Sequence, residues 1–271
     1  MINRLKVDNF LIVSATNKAH LILTKNWYES IKVNLGLTEK CLIIAFDDYA
    51  YDELVKSRIP TLKASSLIET VPVNDIEQEK YFSEEKDGEY NRLVHMKIDI
   101  AHALLKYYDM FALVYSDVDV VLLQKNIIRY FQSLYIDGNE FASVDVLRRD
   151  YDILITSSGR TGFFPCTGFY VAKKSDFSVS YLYNITRYPG RRDTGDQDTF
   201  NQIYKDNLTD AERRHVHPLN GVLFLDGNTR FRRDQFSVRP WLFHANWVVG
   251  LDMKIDLLMR EGYWFIPNPK F

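Results

Sequence analysis

The stretch ALVYSDVDVVLLQK, residues 112–125, places two carboxylates, Asp117 and Asp119, within the most apolar run of the chain. Burying either one as an unpaired ion would cost several kcal/mol, so another group must compensate the charge. Because residues i and i+2 of a strand point to the same side, we expect both carboxylates to face one point. If the strand ends near Ser116, that point lies where open α/β sheets bind ligands. Hard divalent cations prefer oxygen ligands, so the stretch predicts a metal site.

Two other interpretations of the pair remain open. One aspartate can cap a helix while the other meets an arginine, and neither would then need a cation. Haloacid-dehalogenase phosphatases also place Asp-x-Asp after a strand, and their first aspartate is a nucleophile. Against this alternative, the pair does not follow an early strand, and Val120 and Val121 follow it where a glycine and a hydroxyl residue are expected.

Composition limits the class of protein. The 271 residues suit one large α/β domain or two small ones. A formal net charge of −2 argues against a nucleic-acid partner and favours a discrete ligand. Only two cysteines occur, Cys41 and Cys166, so we expect a reducing compartment and no disulfide framework. The first apolar run is broken by Ser14 and Thr16, and no apolar run has the length of a membrane span. We therefore expect a soluble, cytoplasmic protein.

Short apolar strands alternate with amphipathic helices, which predicts an α/β fold with a mainly parallel sheet. Besides the opening stretch, the predicted strands are 9–15, 40–46 and 169–174, and the predicted helices are 18–35, 49–56, 91–107 and 175–187. Residues 74–89 are acidic and poor in aliphatic side chains, so we expect a surface loop there. Residues 241–262 are predicted to run strand, loop, helix.

Three further stretches carry polar side chains suited to a phosphorylated ligand. GDQDTFNQI (195–203) opens a helix with two carboxylates and an amide, and TGFY (167–170) offers a glycine for close approach. FHANWVVGLDMK (243–254) places a histidine, a glycine and a lysine on a loop that leads into a helix. The histidine can complete a metal site, and the glycine and lysine can hold a diphosphate.

These motifs, in this order, resemble those of the nucleotide-diphospho-sugar transferase family, whose GT-A glycosyltransferases include families 77 and 8. The resemblance runs from about residue 9 to 262. It implies an α/β GT-A fold, a single Rossmann-like domain over 1–271 with a mainly parallel mixed central sheet flanked by helices. Its nucleotide-binding half would reach about residue 125, and its acceptor-side half, 126–271, would contain the C-terminal metal and diphosphate loop. The chain departs from the pattern at Cys166, where an asparagine that contacts the sugar is usual.

The resemblance also implies a role for each matching position. Asp117, Asp119 and His244 would bind Mn²⁺ or Mg²⁺, and the cation would hold the diphosphate of a nucleotide sugar. Asp196 and Gln197 would be the catalytic residues beside the donor sugar. The positions that would bind the donor are Ser14, Ala15, Thr16 and Asn17 at the nucleoside, Asp47 near the uracil, Gly250 and Lys254 at the diphosphate, and Lys97, Ser116, Val118, Thr167, Gly168 and Asn246 elsewhere along it.

The implied activity is metal-dependent transfer of a sugar from a UDP-sugar to a hydroxyl of a glycan or glycoprotein, with retention at the anomeric carbon. An inverting course would need a general base, for which Asp196 and Asp145 are candidates. The alternatives are a Mg²⁺-dependent phosphatase of the haloacid-dehalogenase type and an inactive sugar-nucleotide-binding module. A missing anchor favours a cytosolic, bacterial or virus-encoded enzyme over a Golgi resident.

Simpler explanations exist for individual residues. Asp196 can be merely the N-cap of its helix. His244 can be a core histidine, and Lys97 can be solvated. Trp247 and Trp264 are expected to pack against other side chains rather than to bind sugar.

Overall fold

The computed structural model describes residues 2–37, 39–69, 87–137, 151–158, 163–191, 193–230, 237 and 239–267. The strands are β1 Phe10–Thr16, β2 Leu42–Ala45, β3 Thr61–Lys63, β4 Ala112–Ser116, β5 Val120–Leu122, β6 Ile153–Ser157, β7 Pro165–Lys173, β8 Val216–Pro218, β9 Phe224–Asp226 and β10 Leu242–His244. The α-helices are α1 Ile2–Leu5, α2 Leu21–Ser30, α3 Asp48–Lys56, α4 Asp87–Tyr107, α5 Ile127–Gln132, α6 Asp176–Thr186, α7 Asp196–Asp206, α8 Asp210–Arg213 and α9 Leu251–Arg260.

A seven-stranded sheet in the order β3-β2-β1-β4-β7-β6-β8 forms the centre of the molecule. Strand β7 is antiparallel to both of its neighbours, and all the other pairs are parallel. Along β1, Phe10 and Ile12 pack into one buried cluster, whereas Leu11 and Val13 pack into the other. Because side chains alternate along a strand, a continuous apolar strand of this kind buries both faces of the sheet. The predicted mixed, mainly parallel sheet is confirmed.

Helices cover both faces of this sheet. Trp27 of α2 and Phe131 of α5 lie in the cluster on one face, and Leu104 of α4 and Phe200 of α7 lie in the cluster on the other. Helix α4 begins at Asp87, four residues before the predicted start, so the end of the predicted acidic loop is helical. The rest of that loop, like Asp145, lies outside the described residues.

A second sheet of three strands, in the order β5-β10-β9, carries the C-terminal motif. Strand β10 is antiparallel to β5 and parallel to β9, so His244 is paired with both Val120 and Asp226. Helix α9 covers this sheet, and Leu258 packs with Phe243 in a third buried cluster. The small sheet therefore brings residues near 244 beside the end of the opening stretch.

Two expectations from composition can also be compared with the structure. Cys41 and Cys166 are both free and buried, so the absence of a disulfide framework is confirmed. Among the described helices, none combines the length and the apolarity that a membrane span requires.

Candidate active site

The two aspartates of the opening stretch converge, but not for the reason that the sequence suggested. Strand β4 ends at Ser116 and β5 begins at Val120, so both carboxylates lie in the turn between two different sheets. The amide of Val120 donates to the Asp117 carbonyl at 3.2 Å and closes this turn. The expectation of strand alternation was therefore wrong, because the period of two applies only while the chain remains extended.

His244 joins the two aspartates from the end of β10. One ligand atom from each of Asp117, Asp119 and His244 can be chosen so that all three lie within 4.8 Å of one another. The His244 Nε2 lies 3.3 Å from Asp119 Oδ1, and its Nδ1 lies 3.9 Å from the Cys166 sulfur. Within the described part of the chain, no other group of three acidic, histidine or cysteine side chains converges in this way.

Gly168 is required by the position of this imidazole ring. A Cβ at residue 168 would lie 2.3 Å from the His244 Cε1, which is far inside van der Waals contact. The carbonyl of Gly168 also accepts a hydrogen bond of 2.7 Å from the Asp117 amide. The predicted close-approach glycine thus makes room for one of the three converging residues and holds the backbone of another.

Two lysines balance the acidic charge. The Lys97 ammonium lies 3.0 Å from Asp117 Oδ1 and 3.4 Å from Asp196 Oδ2, and Lys254 forms an ion pair with Asp119 Oδ2. Both lysines, Asp119 and Asp196 are buried or nearly so, whereas Asp117 is partly exposed. The hydroxyl of Tyr115 donates to Asp117 Oδ1 at 3.2 Å.

These contacts set the charge of each group. Burial disfavours the ionised form of Asp119, but Lys254 and His244 outweigh it and hold the pKa well below its ordinary value. Burial and two neighbouring carboxylates raise the pKa of Asp117 in spite of Lys97. Burial also opposes the charging of His244, yet Asp119 raises the pKa of this imidazole to about 10.

The donor set fits a divalent cation that prefers oxygen and imidazole ligands. Two carboxylates and one imidazole are a possible ligand set for such a cation. Asp119 Oδ1 is also buried with no hydrogen-bond partner among the described residues, although His244 Nε2 is close to it. A buried carboxylate oxygen of this kind has unused capacity for a metal ligand bond.

Two adjoining cavities meet at this cluster, and both are lined by its four charged residues, Lys97, Asp117, Asp119 and Lys254. We call the first the inner pocket, which is also lined by Ala15, Thr16, Asn17, His20, Leu23, Phe46, Tyr90, Leu93, Val94 and Val118. We call the second the outer cleft, which is also lined by Tyr90, Val94, Ser158, Phe164, Cys166, Thr167, Gly168, Gly195, Asp196, Gln197, Asp198, His244, Asn246, Trp247, Val248 and Val249.

A family model described as nucleotide-diphospho-sugar transferase matches residues 36–258. The chain belongs to this family. A solved galactosyltransferase, LgtC, in complex with donor and acceptor sugar analogues, has a TM-score of 0.53 at 11% identity. The superposition covers 96% of this chain and 98% of the LgtC chain. The glycosyltransferase GlyE of Streptococcus pneumoniae has a TM-score of 0.50 at 10% identity. The superposition covers 95% of this chain and 64% of the GlyE chain. No curated protein sequence gives a significant match.

The family match and the GT-A fold confirm the resemblance seen in the motifs. The protein is a glycosyltransferase of the nucleotide-sugar class. The phosphatase alternative, which the Asp-x-Asp pair alone had left open, is therefore disfavoured by independent observations.

Most of the predicted site residues of this glycosyltransferase line one of the two cavities. Four do not: Ser14, Asp47, Ser116 and Gly250. The Ser116 hydroxyl accepts a hydrogen bond of 2.9 Å from the Trp27 indole, and Asp47 caps α3 and accepts from the Lys18 amide at 2.7 Å. Gly250 has a φ of 89° at the start of α9, a conformation that suits glycine.

Asp196 is not the N-cap of its helix. The cap of α7 is Gly195, which leaves the Asp196 side chain directed at Lys97. The Asp196 Oδ2 atom is buried and makes no hydrogen bond with the described residues. His95 of α4 donates through Nε2 to the Thr194 carbonyl at 3.0 Å, which ties the start of α7 to α4. The capping explanation is therefore wrong, and the carboxylate faces the outer cleft.

The sequence did not identify His20, which lines the inner pocket. Its Nδ1 lies 2.7 Å from the Asn17 Oδ1, and burial together with Lys254 lowers the pKa of His20 to about 4. The imidazole is therefore neutral at pH 7. A signal existed, since His20 follows the carboxyl end of β1, where α/β sheets bind ligands.

Proposed function

We propose that the protein transfers a sugar from a UDP-sugar to a hydroxyl of a glycan or glycoprotein acceptor, in a reaction that depends on Mn²⁺ or Mg²⁺ and retains the anomeric configuration. The convergence of Asp117, Asp119 and His244, where the inner pocket meets the outer cleft, is the observation that carries the proposal. A nucleotide in the inner pocket would have its diphosphate beside these three side chains and its sugar in the outer cleft.

The chemical requirement is to stabilise the negative charge that develops on the departing UDP. A cation held by Asp117, Asp119 and His244 would supply Lewis-acid neutralisation of that charge. Lys254 lines both cavities and is already oriented by its ion pair with Asp119. Its ammonium can therefore provide a second positive charge beside the diphosphate. Because the lysine is buried, its charge is little screened by solvent.

The sugar side of the site would be organised by Asp196 and Gln197. Lys97 contacts both Asp117 and Asp196, so it links the diphosphate side of the site to the sugar side. The Gln197 amide lies 3.4 Å from the Ser158 hydroxyl across the outer cleft. In this position Asp196 would bind hydroxyls of the transferred sugar or orient the acceptor hydroxyl near the anomeric carbon.

The experiment is incubation with a panel of UDP-, GDP- and CDP-sugars in Mn²⁺ and in EDTA, with release of nucleoside diphosphate and of inorganic phosphate measured separately. We expect UDP release that depends on Mn²⁺ and no phosphate release. Release of inorganic phosphate as the product would support the haloacid-dehalogenase phosphatase alternative. Tight UDP binding by calorimetry without any turnover would support an inactive binding module.

A further inference from the structure

Trp247 lies in the loop between β10 and α9, and its side chain is unusually open for a tryptophan. The residue is 57% exposed and lines the outer cleft together with Asp196 and Gln197. This exposure is at odds with the expectation that Trp247 packs against other side chains rather than binding sugar. Trp264, by contrast, packs against the third buried cluster as expected.

The Trp247 ring is exposed but anchored. Its indole N–H donates to Asp226 Oδ2 at 3.2 Å, and Asp226 is buried at the end of β9. The other carboxylate oxygen of Asp226 accepts hydrogen bonds from the amides of Asn228 and Thr229 at 3.0 and 2.7 Å. Since Asp226 pairs with His244 in the small sheet, the framework that orients the metal-site histidine also orients this indole.

The backbone of Trp247 is strained. Its φ is 62°, a left-handed conformation that bulky side chains rarely adopt. Burial does little to compensate this strain, because the residue is more than half exposed and lines the outer cleft. Strain of this kind persists where the surrounding structure imposes it, and it concentrates at ligand sites.

The chemistry of the cleft around the indole suits a sugar ring. A pyranose has a face of C–H groups, which packs on an aromatic ring, and a rim of hydroxyls, which needs hydrogen-bonding partners. The outer cleft supplies both, since Trp247 and Val249 are exposed apolar groups and Ser158, Gln197 and Asp198 are polar.

We propose that Trp247 is the stacking platform for the pyranose ring of the acceptor, an inference that rests on the proposed glycosyltransferase function. Trp247 lines the outer cleft and not the inner pocket, so it is separate from the proposed nucleoside site. Its exposure also leaves the ring accessible to a second sugar after the donor is bound. A fixed ring loses little entropy when it binds a ligand, which favours this use of an anchored indole.

The test uses p-nitrophenyl α- and β-pyranosides of glucose, galactose, mannose and xylose as acceptor probes with the parent protein and with Trp247→Ala and Trp247→Phe. Binding is measured by saturation-transfer difference NMR in the presence of UDP and Mn²⁺. Transfer kinetics are measured with the best UDP-sugar, and hydrolysis of that donor by water is measured without an acceptor. Tyr107→Ala is the matched control, because Tyr107 is an exposed aromatic residue at 70% and lines neither cavity.

We expect Trp247→Ala to raise the acceptor KM about tenfold or more, the size of an aromatic stacking contact. Donor hydrolysis and UDP affinity should remain within about twofold of the parent values, a range that corresponds to under half a kcal/mol. Trp247→Phe should restore most of the acceptor binding, and Tyr107→Ala should resemble the parent protein.

The outcomes separate this inference from the function on which it rests. An unchanged acceptor KM in Trp247→Ala, or no binding of any pyranoside to the parent protein, overturns the platform while leaving donor hydrolysis intact. A rise in the donor KM without a rise in the acceptor KM assigns the ring to the donor sugar and also overturns it. Failure of the parent protein to release UDP from any donor contradicts the proposed function itself.

Discussion

Asp117 and Asp119 are separated by one residue, yet the regions around them differ in charge balance. The regions are the Asp117 side, formed by Lys97, Tyr115 and Asp196, and the Asp119 side, formed by His244 and Lys254. On the Asp117 side the Lys97 ammonium is paired with two carboxylates, whereas on the Asp119 side two cationic groups are paired with one carboxylate. Burial raises the pKa of both carboxyl groups, and only on the Asp119 side do the cations reverse that effect.

The difference shows that the two carboxylates of the motif are not equivalent. The Asp119 side chain is 7% exposed and holds together a strand, a helix and a turn, while the Asp117 side chain is 24% exposed and shares its lysine. We therefore expect Asp119 to support both the fold and the candidate metal site. Asp117 should support mainly the candidate metal site.

The largest expected effect is a difference in stability between Asp119→Asn and Asp117→Asn. The first variant leaves Lys254 and His244 as buried cations without their anion, and breaking a buried pair costs about 3 kcal/mol or more. The second leaves Lys97 with Asp196 as its partner and should cost roughly 1 kcal/mol. Urea unfolding of the parent and both variants in EDTA measures the two losses. Equal losses would contradict the distinction between the two sides.

The next effect concerns catalysis on the Asp117 side. Asp196→Asn keeps the size of the side chain but removes the charge that faces Lys97, so we expect kcat to fall on the order of 10²-fold. UDP affinity should change little, because Asp196 does not line the inner pocket. Steady-state kinetics and UDP calorimetry test both statements. Asp206→Asn, at the exposed end of the same helix, is the control, and a parent-like rate in Asp196→Asn would remove Asp196 from the catalytic site.

A smaller effect is expected from the sulfur that contacts His244 on the Asp119 side. Groups that orient a metal-binding histidine typically change metal affinity 10- to 100-fold, and the long sulfur contact places Cys166 at the lower end, about tenfold. Cys166→Ala should weaken Mn²⁺ binding about tenfold. Cys166→Ser should weaken it less, because the serine hydroxyl can replace part of the contact with His244. Calorimetric titration with Mn²⁺ is the measurement.

The matched control for this prediction is Cys41→Ala, since Cys41 is a free, fully buried cysteine in a hydrophobic cluster. It should lower stability without changing Mn²⁺ affinity. Equal Mn²⁺ affinity in Cys166→Ala and the parent would show that the Cys166 sulfur does not orient the imidazole.

The last comparison concerns two histidines with opposite pKa shifts. The pKa of His20 falls from 6.5 to about 4 in the fold, so its contribution to stability is complete above pH 6.5 and is lost as the pH falls through about 4. The pKa of His244 rises from 6.5 to about 10, so its contribution is complete below pH 6.5 and is lost as the pH rises through about 10. Thermal melts in EDTA between pH 4 and pH 10 measure both limbs.

We expect His20→Gln to flatten the acid limb of this stability profile and His244→Gln to flatten the alkaline limb, each relative to the parent protein. The Asp119 carboxylate explains the contrast, because it contacts His244 directly. An unchanged alkaline limb in His244→Gln would mean that Asp119 does not hold the imidazole in its charged form.

Much of the fold was predictable because the determining signals are local. Apolar runs predicted β1, β2 and β7, and helical periodicity predicted α2, α3, α6 and most of α4. Gly36, with a φ of 67°, ends the first long helical segment as its residue type predicts. The start of α4 was misplaced because acidic composition indicates exposure and does not exclude a helix.

Local sequence patterns gave wrong predictions for the exposure of one side chain, Trp247, and for the interaction partner of another, Asp196. Trp247 was expected to pack because tryptophan usually does, but the loop conformation directs it into the outer cleft. Asp196 was a natural N-cap by residue type, yet Gly195 occupies that position and the carboxylate turns to Lys97. Both outcomes depend on neighbours that are distant in the chain.

The sequence by itself determined the α/β class, the order of the motifs and the candidate metal ligands, because these depend on residue type and on spacing within short segments. Only the tertiary structure decided how their charges are balanced. Lys254 and Asp119 are 135 residues apart in the chain and meet only because the small sheet and α9 pack against the turn after β4. The strength of a charge interaction depends on distance and burial in space, and neither quantity can be read from position along the chain.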